Sequence, residues 1–289
     1  YGLYVAAVKS GEIPEQPRLK NSSEGYLALI LMAAYDGDLR KGLEFADEAL
    51  RAFRQTPEIH VAKARVEVLL GEPGKAMKTL SSALDIFPDS DRLIVAKSDW
   101  LREYGGQPKA ARDLVKLVVA NHPDNILARK SAIKNWMAIG GTSEAAAILT
   151  PALVQRPMDS ELLALQAQLL LAENKLDAAK MVIDQALERD GVNPLIYKSL
   201  SAYWARKDKL KIALDTSLTA SAINPDFGLG FLTLAQIQYD LGEGDLAFQQ
   251  LDVAERLDPN SPAIPLARTA IALHRFAAEI GRAACRERV

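Results

Sequence analysis

The sequence has 289 residues, 49% of them hydrophobic and 25% charged, with a mean hydropathy of -0.03. That apolar content excludes a disordered chain, because there is ample surface to bury. Thirty-five basic and 37 acidic residues leave a formal charge of -2 and a pI near 6.0. Such a balance disfavours general nucleic-acid binding and adhesion to anionic membranes. The longest uncharged stretch, Phe227 to Tyr239, has thirteen residues, short of the roughly 20 apolar residues a membrane-spanning helix needs.

In chain order, Tyr1 opens the sequence without an initiator Met, and no basic region followed by an apolar core marks a signal peptide. Tyr1 to Ser10 is expected to be the tail of an earlier structural unit, and Pro14, Pro17 and Asn21-Ser22-Ser23 an irregular joint, so that residues 1–22 precede the main array. From Ser23 onward a period of 34 residues takes over. Prolines stand at Pro88, Pro123, Pro157, Pro225 and Pro259, at spacings of 35, 34, 68 and 34, with Gly191 in the slot midway through the long interval and Arg54 one step upstream. Seventeen residues before each slot stand Gly37, Gly71, Gly106, Gly140, Asn174, Asp208 and Gly242. These residue types tolerate the left-handed conformation that ends a helix in a sharp turn.

Between turn and slot runs a pattern of small, apolar and small residues at i, i+4 and i+7: Ala76, Leu80 and Ala83, then Ala145, Leu149 and Ala152, Ala179, Ile183 and Ala186, and Ala247, Leu251 and Ala254. Ser217 weakens the copy that has Ala213 and Ala220; Ala111, Val115 and Val118 form a bulkier one. That spacing lays the residues along one face of a helix, where alanines let a neighbouring helix approach closely. Each unit therefore predicts two antiparallel helices of about 12 to 14 residues, and because one pair cannot bury its apolar face alone, the pairs must stack into a superhelical solenoid. An all-α fold follows.

This punctuation resembles that of the tetratricopeptide repeat. The last full copy carries it best, with Phe231, Leu234, Ala235, Tyr239, Gly242, Ala247, Phe248, Leu251, Ala254 and Pro259. The resemblance covers about Ser23 to Phe276 and implies seven full repeats in a right-handed superhelix, beginning near Ser23, Pro57, Arg92, Ile126, Ser160, Pro194 and Gly228, with a partial eighth from about Pro262. The first copy rests on Gly42, Ala46 and Ala49. One extra residue is expected near Asp89 to Arg92. The array is expected to run to 278 and to continue in the native protein, because it stops within the largely apolar stretch from Leu273 to Ala278. Glu279 to Val289 resembles the translated read-through of a sequencing adapter, and its removal leaves 32 basic and 35 acidic residues and no cysteine, since Cys285 lies inside it.

No chemistry of catalysis assembles. His60, His122 and His274 fall in different repeats without close ligand spacing, so no metal site is expected. Gly140-Gly141-Thr142-Ser143 lacks the lysine and preceding strand of a phosphate loop, and reads as an interhelical turn with Thr142 or Ser143 as N-cap. Asp89-Ser90-Asp91 reads as a helix cap rather than a metal-holding carboxylate pair. No cofactor is implied. Trp136 and Trp204, 68 residues apart at equivalent sites, read as packing residues.

The resemblance also implies that ligands touch the second, fifth, ninth, twelfth and thirteenth positions of each repeat's first helix. Those positions supply Arg65, Trp100, Lys130, Lys134, Lys198, Arg206, Gln236 and Tyr239, among apolar residues such as Leu27, Leu31, Val61 and Leu232. A basic, partly aromatic middle would suit an acidic peptide. The competing reading has solvated charges balanced by Glu24, Glu103, Glu161 and Asp240 at the same projected positions. No asparagine stands at the ninth positions, which argues against the family's clamp for a C-terminal carboxylate.

Function therefore reads as a non-catalytic scaffold that holds a protein or peptide segment in its concave groove. By weaker analogy the repeat style resembles that of bacterial proteins of envelope assembly and of exopolysaccharide or surface-protein export. Cytoplasm and periplasm both accommodate a cysteine-free chain. The alternative is the regulatory or substrate-recruiting region of a larger enzyme, such as a glycosyl- or sulfo-transferase. RNA recognition by a related helical array would need a basic groove that the net charge does not supply.

Overall fold

The structure is a computed structural model that describes residues 16–223, 228–257 and 264–273. Tyr1 to Pro14, the prolines at 225 and 259, His274 and the tail from Glu279 with Cys285 lie outside the described residues. After a 3-10 turn at Gln16–Asn21 come fourteen helices whose bounds repeat closely. They are α1 (Ser23–Tyr35), α2 (Leu39–Ala52), α3 (Pro57–Leu69), α4 (Pro73–Ile86), α5 (Asp91–Glu103), α6 (Pro108–Asn121) and α7 (Ile126–Ala138). Then follow α8 (Thr142–Gln155), α9 (Ser160–Ala172), α10 (Leu176–Arg189), α11 (Pro194–Arg206), α12 (Leu210–Ile223), α13 (Gly228–Asp240) and α14 (Gly244–Leu257), and residues 264–273 are again helical. Every odd-numbered helix has 13 residues and every even-numbered one 14. Equal lengths let successive pairs stack in register.

Left-handed residues turn each odd helix into its even partner. Positive φ occurs at Gly37, Gly71, Gly106, Gly140 and Gly242, and at the non-glycine residues Asn174 (59°) and Asp208 (57°). After α3, Gly71 N–H donates to Val68 O and Glu72 N–H to Glu67 O, at 2.8 and 2.9 Å, the paired bonds that close a helix C-terminus through a left-handed residue. Even helices stop at a common register whether or not proline follows: α4 ends two residues before Pro88, and α10 two before Gly191. Polar residues then start the odd helices. Ser22, Ser90, Asn125, Asp159 and Asn193 each accept a backbone N–H of the first turn through the side chain.

The small-apolar-small stripe of the even helices is the core. Ala76, Ala83, Ala145, Ala152, Ala179, Ile183, Ala186, Ala247, Leu251 and Ala254 are fully buried, and Ser217 keeps its copy buried as well. Each cluster draws on one pair and on the next odd helix, as where Ala76, Leu80 and Ala83 of α4 meet Ala64 of α3 and Leu93 of α5. Successive odd helices also touch one another along the inside of the curve. The result is a right-handed superhelical solenoid without strands among the described residues.

Two local expectations need correction. Gly141, not Thr142 or Ser143, is the N-cap of α8, and no side chain caps that end; both hydroxyl residues lie inside the first turn, past the position from which a cap can act. The extra residue also lies elsewhere. The links that join one repeat to the next have four residues at 53–56, 87–90 and 122–125 alike, whereas the turn Tyr104–Gln107 between α5 and α6 has four residues against three in its counterparts. Gly105 fills that turn, where a Cβ would meet Leu101 O and the Trp100 ring at 3.0 Å. Hence α5 starts at Asp91, and Trp100 is the tenth residue of its helix, with Asp99 the ninth.

Candidate functional site

Odd helices line the concave face, and a groove of about 810 Å³ opens at its N-terminal end. One wall comes from α1, α3 and α5, including Leu31, Tyr35, Val61, Arg65, Trp100 and Tyr104; the opposite wall comes from Val192, Pro194 and Ile223, three repeats further along. Leu31 and Tyr35 are exposed, at 37% and 68%. Trp100 is fixed in place, because its indole Nε1–H donates to Pro73 O at 3.1 Å and its ring lies 6.5 Å from that of Tyr104.

Beneath this wall runs a polar seam between α5 and α7. The Arg102 guanidinium, 10% exposed, donates to Asp99 Oδ1 at 2.8 Å, to Glu103 Oε1 at 2.6 Å and to Asn135 Oδ1 at 2.8 Å. Asn135 Nδ2 donates to Ser98 Oγ at 2.8 Å, and Ser131 Oγ donates to Asp99 at 2.8 Å. Burial pushes the guanidinium down, yet Asp99 and Glu103 outweigh that and hold it above its ordinary range.

The lysines of the middle are not a free basic patch. Lys130 Nζ lies 2.8 Å from Asp159 and 3.0 Å from Glu161, and Lys134 Nζ lies 2.5 Å from the other oxygen of Glu161. Both lysines of α7 are thus neutralised by the first turn of α9. Burial raises the Glu161 carboxyl, but Lys134 and Lys130 overcome it and hold it below the usual carboxylate range. For Lys130, burial lowers the ammonium, and Asp159 and Glu161 more than restore it. Lys198 is half-buried on α11, where burial lowers its ammonium, the Glu103 charge opposes that, and Lys134 adds to it.

The eight positions singled out from sequence therefore do not converge. Arg65 and Trp100 share the N-terminal groove. Lys130 and Lys134 share Glu161. Arg206 is exposed at the end of α11, while Gln236 donates to Asp240 one turn on, at 2.9 Å. Tyr239 packs against the cluster of Ala235, Ala247, Leu251 and Ile271. Trp136 and Trp204 are partly buried within their repeats, the first beneath the Arg112 guanidinium at 5.0 Å and the second against Tyr203. Sequence reasoning missed Tyr35, Tyr104 and the wall of Val192, Pro194 and Ile223, because only the superhelical pitch brings distant repeats face to face.

Other polar candidates serve the joints between repeats. Ser90 caps α5, and Asp91 accepts Asn125 Nδ2 at 2.8 Å and faces His122 Nδ1 at 2.7 Å. His60 lies beside Phe87, and burial lowers its imidazole. Among the described residues no group of three or more His, Cys, Asp or Glu is placed to hold a metal, and no helix is long and apolar enough to cross a membrane.

No family model matches the sequence, and no curated protein matches it. Solved structures match its architecture. The Cut9–Hcn1 hetero-tetramer of the APC/C superposes with a TM-score of 0.65 at 14% identity over 89% of this chain. A tetratricopeptide repeat protein from Parabacteroides merdae gives 0.58 at 12% over 86%, and the human IFIT1 dimer with m7Gppp-AAAA gives 0.58 at 12% over 82%. This chain spans 50% of the first of those chains, 98% of the second and 72% of the third. The fold is the helical-repeat solenoid of the tetratricopeptide repeat type.

Proposed function

We propose that this chain is a non-catalytic scaffold that holds a segment of a partner protein in its concave groove. The observation that carries the reading is the groove itself: about 810 Å³, walled by exposed Leu31 and Tyr35 and half-buried Val61, Trp100 and Tyr104 from three successive repeats and faced by a fourth. Apolar surface left open in a concave site loses water favourably when a partner fills it. A role in bacterial envelope or export assembly belongs to this proposal and rests on the style of the repeats. The internal pairing of Lys130 and Lys134 takes support from binding through the middle lysines and moves it to the N-terminal end.

The test is photo-crosslinking from positions 31, 35 and 65 of the tagged protein in its source cells. A recurrent protein captured from those positions, and not from exposed Met181 or Val154 on the even helices, is the expected result. Capture confined to the even helices would end the groove reading.

A further inference from the structure

The two walls of the groove belong to different parts of the array. Every residue of the first wall, from Ile30 to Tyr104, comes before α8, whereas Val192, Pro194 and Ile223 of the second come after it. The distance between the walls is therefore set where the fourth repeat joins the fifth.

That joint differs from those on either side. Helix α5 is tied to α7 by the buried seam of Ser98, Arg102, Ser131 and Asn135, and α9 meets α11 in an apolar cluster with Ala164, Ala167 and Ile196. Helices α7 and α9 touch more sparsely than either of those pairs. On the concave side ion pairs bridge them, Lys130 with Asp159 and Glu161 and Lys134 with Glu161, through side chains that are 12–28% exposed and so within reach of water. On the other side Leu149 and Ala152 of α8 pack with Ile133 of α7 and with Leu162 and Leu165 of α9. Apolar burial is non-directional and survives a small rotation, while an ion pair weakens as its partners part.

Helix α8 is itself weakened beside this joint. Among the described helices it alone carries a proline beyond its first turn, Pro151, which has no N–H to give Ala147 O. Thr150 Oγ1 donates to Ala146 O at 2.9 Å, a back-bond that favours bending. Both residues lie within two turns of the link 156–159.

We propose that the joint between the fourth and fifth repeats is the hinge of the solenoid, and that Lys130, Lys134, Asp159 and Glu161 form the latch that holds its concave side closed and fixes the width of the groove. The scaffold reading enters only in what the groove holds; the hinge stands on the geometry of α7, α8 and α9. Releasing the latch straightens the array at one place and carries Val192, Pro194 and Ile223 away from Leu31 and Trp100. The four charged side chains thus control the groove without touching its occupant.

The test uses the full chain with Cys285→Ser and spin labels on Tyr35→Cys and Val192→Cys, one on each wall, where the native side chains are 68% and 73% exposed. Pulsed dipolar resonance reads the distance between the labels. A second pair, on Tyr35→Cys and Leu117→Cys, lies wholly before the joint. Glu161→Lys sets three lysines against one another, and is expected to lengthen and broaden the 35–192 distance while leaving the 35–117 distance as it was. Adding Lys134→Glu restores an ion pair and should bring back the wild-type distance, which also shows that Glu161→Lys had not simply unfolded the chain. Pro151→Ala should narrow the 35–192 distribution. Photo-crosslinked capture from positions 31 and 35 should fall in Glu161→Lys and return in the double variant. A 35–192 distance unmoved by Glu161→Lys overturns the latch, and equal broadening of the 35–117 pair overturns the hinge by spreading the bend over every joint; in both cases capture by the wild-type groove still upholds the scaffold. Distances that move as expected, with no capture from the wild-type groove, uphold the hinge and remove the scaffold reading.

Discussion

Replacing Asn135 with leucine tests whether the polar seam beneath the groove locks repeats three and four together. Asn135 is fully buried on α7, at the helix position where α3, α9, α11 and α13 bury Val66, Leu169, Tyr203 and Ile237. Judged by burial alone, leucine belongs there. The geometry says otherwise, because the amide accepts from Arg102 at 2.8 Å and donates to Ser98 at 2.8 Å. Losing one bond from the buried guanidinium, which keeps Asp99 and Glu103, and one neutral bond costs about 3 kcal/mol. Burying the leucine side chain returns about 1.5 kcal/mol. Asn135→Leu should therefore destabilise the array by about 1.5 kcal/mol. Arg102→Met removes the guanidinium whose remaining bond Asn135 accepted, and the carboxylates it leaves, at 37% and 43% exposure, can turn to water. The double variant should consequently be more stable than the sum of the single effects, by a coupling of about 1–2 kcal/mol. Urea unfolding followed by tryptophan fluorescence measures it, with Trp100 and Trp136 reporting from the two repeats. An Asn135→Leu protein as stable as wild type, or single effects that add within about 0.5 kcal/mol, would refute the lock.

Three further outcomes follow from the same geometry. Asn174→Gly and Asp208→Gly should each stabilise the fold by about 0.5–1 kcal/mol, because only these two left-handed turns carry a Cβ, whereas Gly140→Ala should cost about 1–2 kcal/mol; an added Cβ at 140 meets nothing within 4 Å, so thermal unfolding reads the backbone penalty alone. Burial raises the carboxyl of Glu67, which accepts Thr79 Oγ1 at 2.8 Å, and the raised value means that ionisation works against the fold above the unfolded value near about pH 4.3. Glu67→Gln, which keeps the acceptor, should then raise the melting temperature at pH 7 and lose that advantage as the pH falls to about 4; an advantage unchanged by pH would sink this account. Glu161 is held low against its burial, so its contribution is present above the same unfolded value and lost as pH falls through the lower folded one. The stability gap between wild type and Glu161→Gln should narrow on acidification, and a gap that widens below about pH 4 would contradict the pairing.

How much of this was legible in the sequence depends on the range of the interaction. All seven turn residues read from the spacing adopt positive φ, including Asn174 and Asp208, because a left-handed cap is a local demand that one residue answers. The buried stripe of the even helices was legible for the same reason. The extra residue of the third repeat was placed at the wrong end of α5: with Pro88 before the helix and Gly106 after it, spacing alone cannot say which end absorbs the insertion. Only the continuous hydrogen bonding of α5 from Asp91 decides it, and it moves Trp100 from the ninth helix position to the tenth. For Lys130 and Lys134 the sequence offered a basic groove and a balanced surface. The choice fell to the angle between α7 and α9, which carries Glu161, 27 residues beyond Lys134, into reach of both ammonium groups.

By itself the sequence determined the helix pairs, their turns, the faces they bury and the solenoid they must form, since each follows from residues within about one repeat of one another. The tertiary structure alone decided which charges are spent on neighbouring repeats. It also decided that Val192, Pro194 and Ile223 face Leu31 and Trp100 across one groove. The reason is geometric: the pitch of a superhelix is the sum of small rotations, one per repeat, set by side-chain packing at each interface, and no single residue type in the sequence encodes that sum.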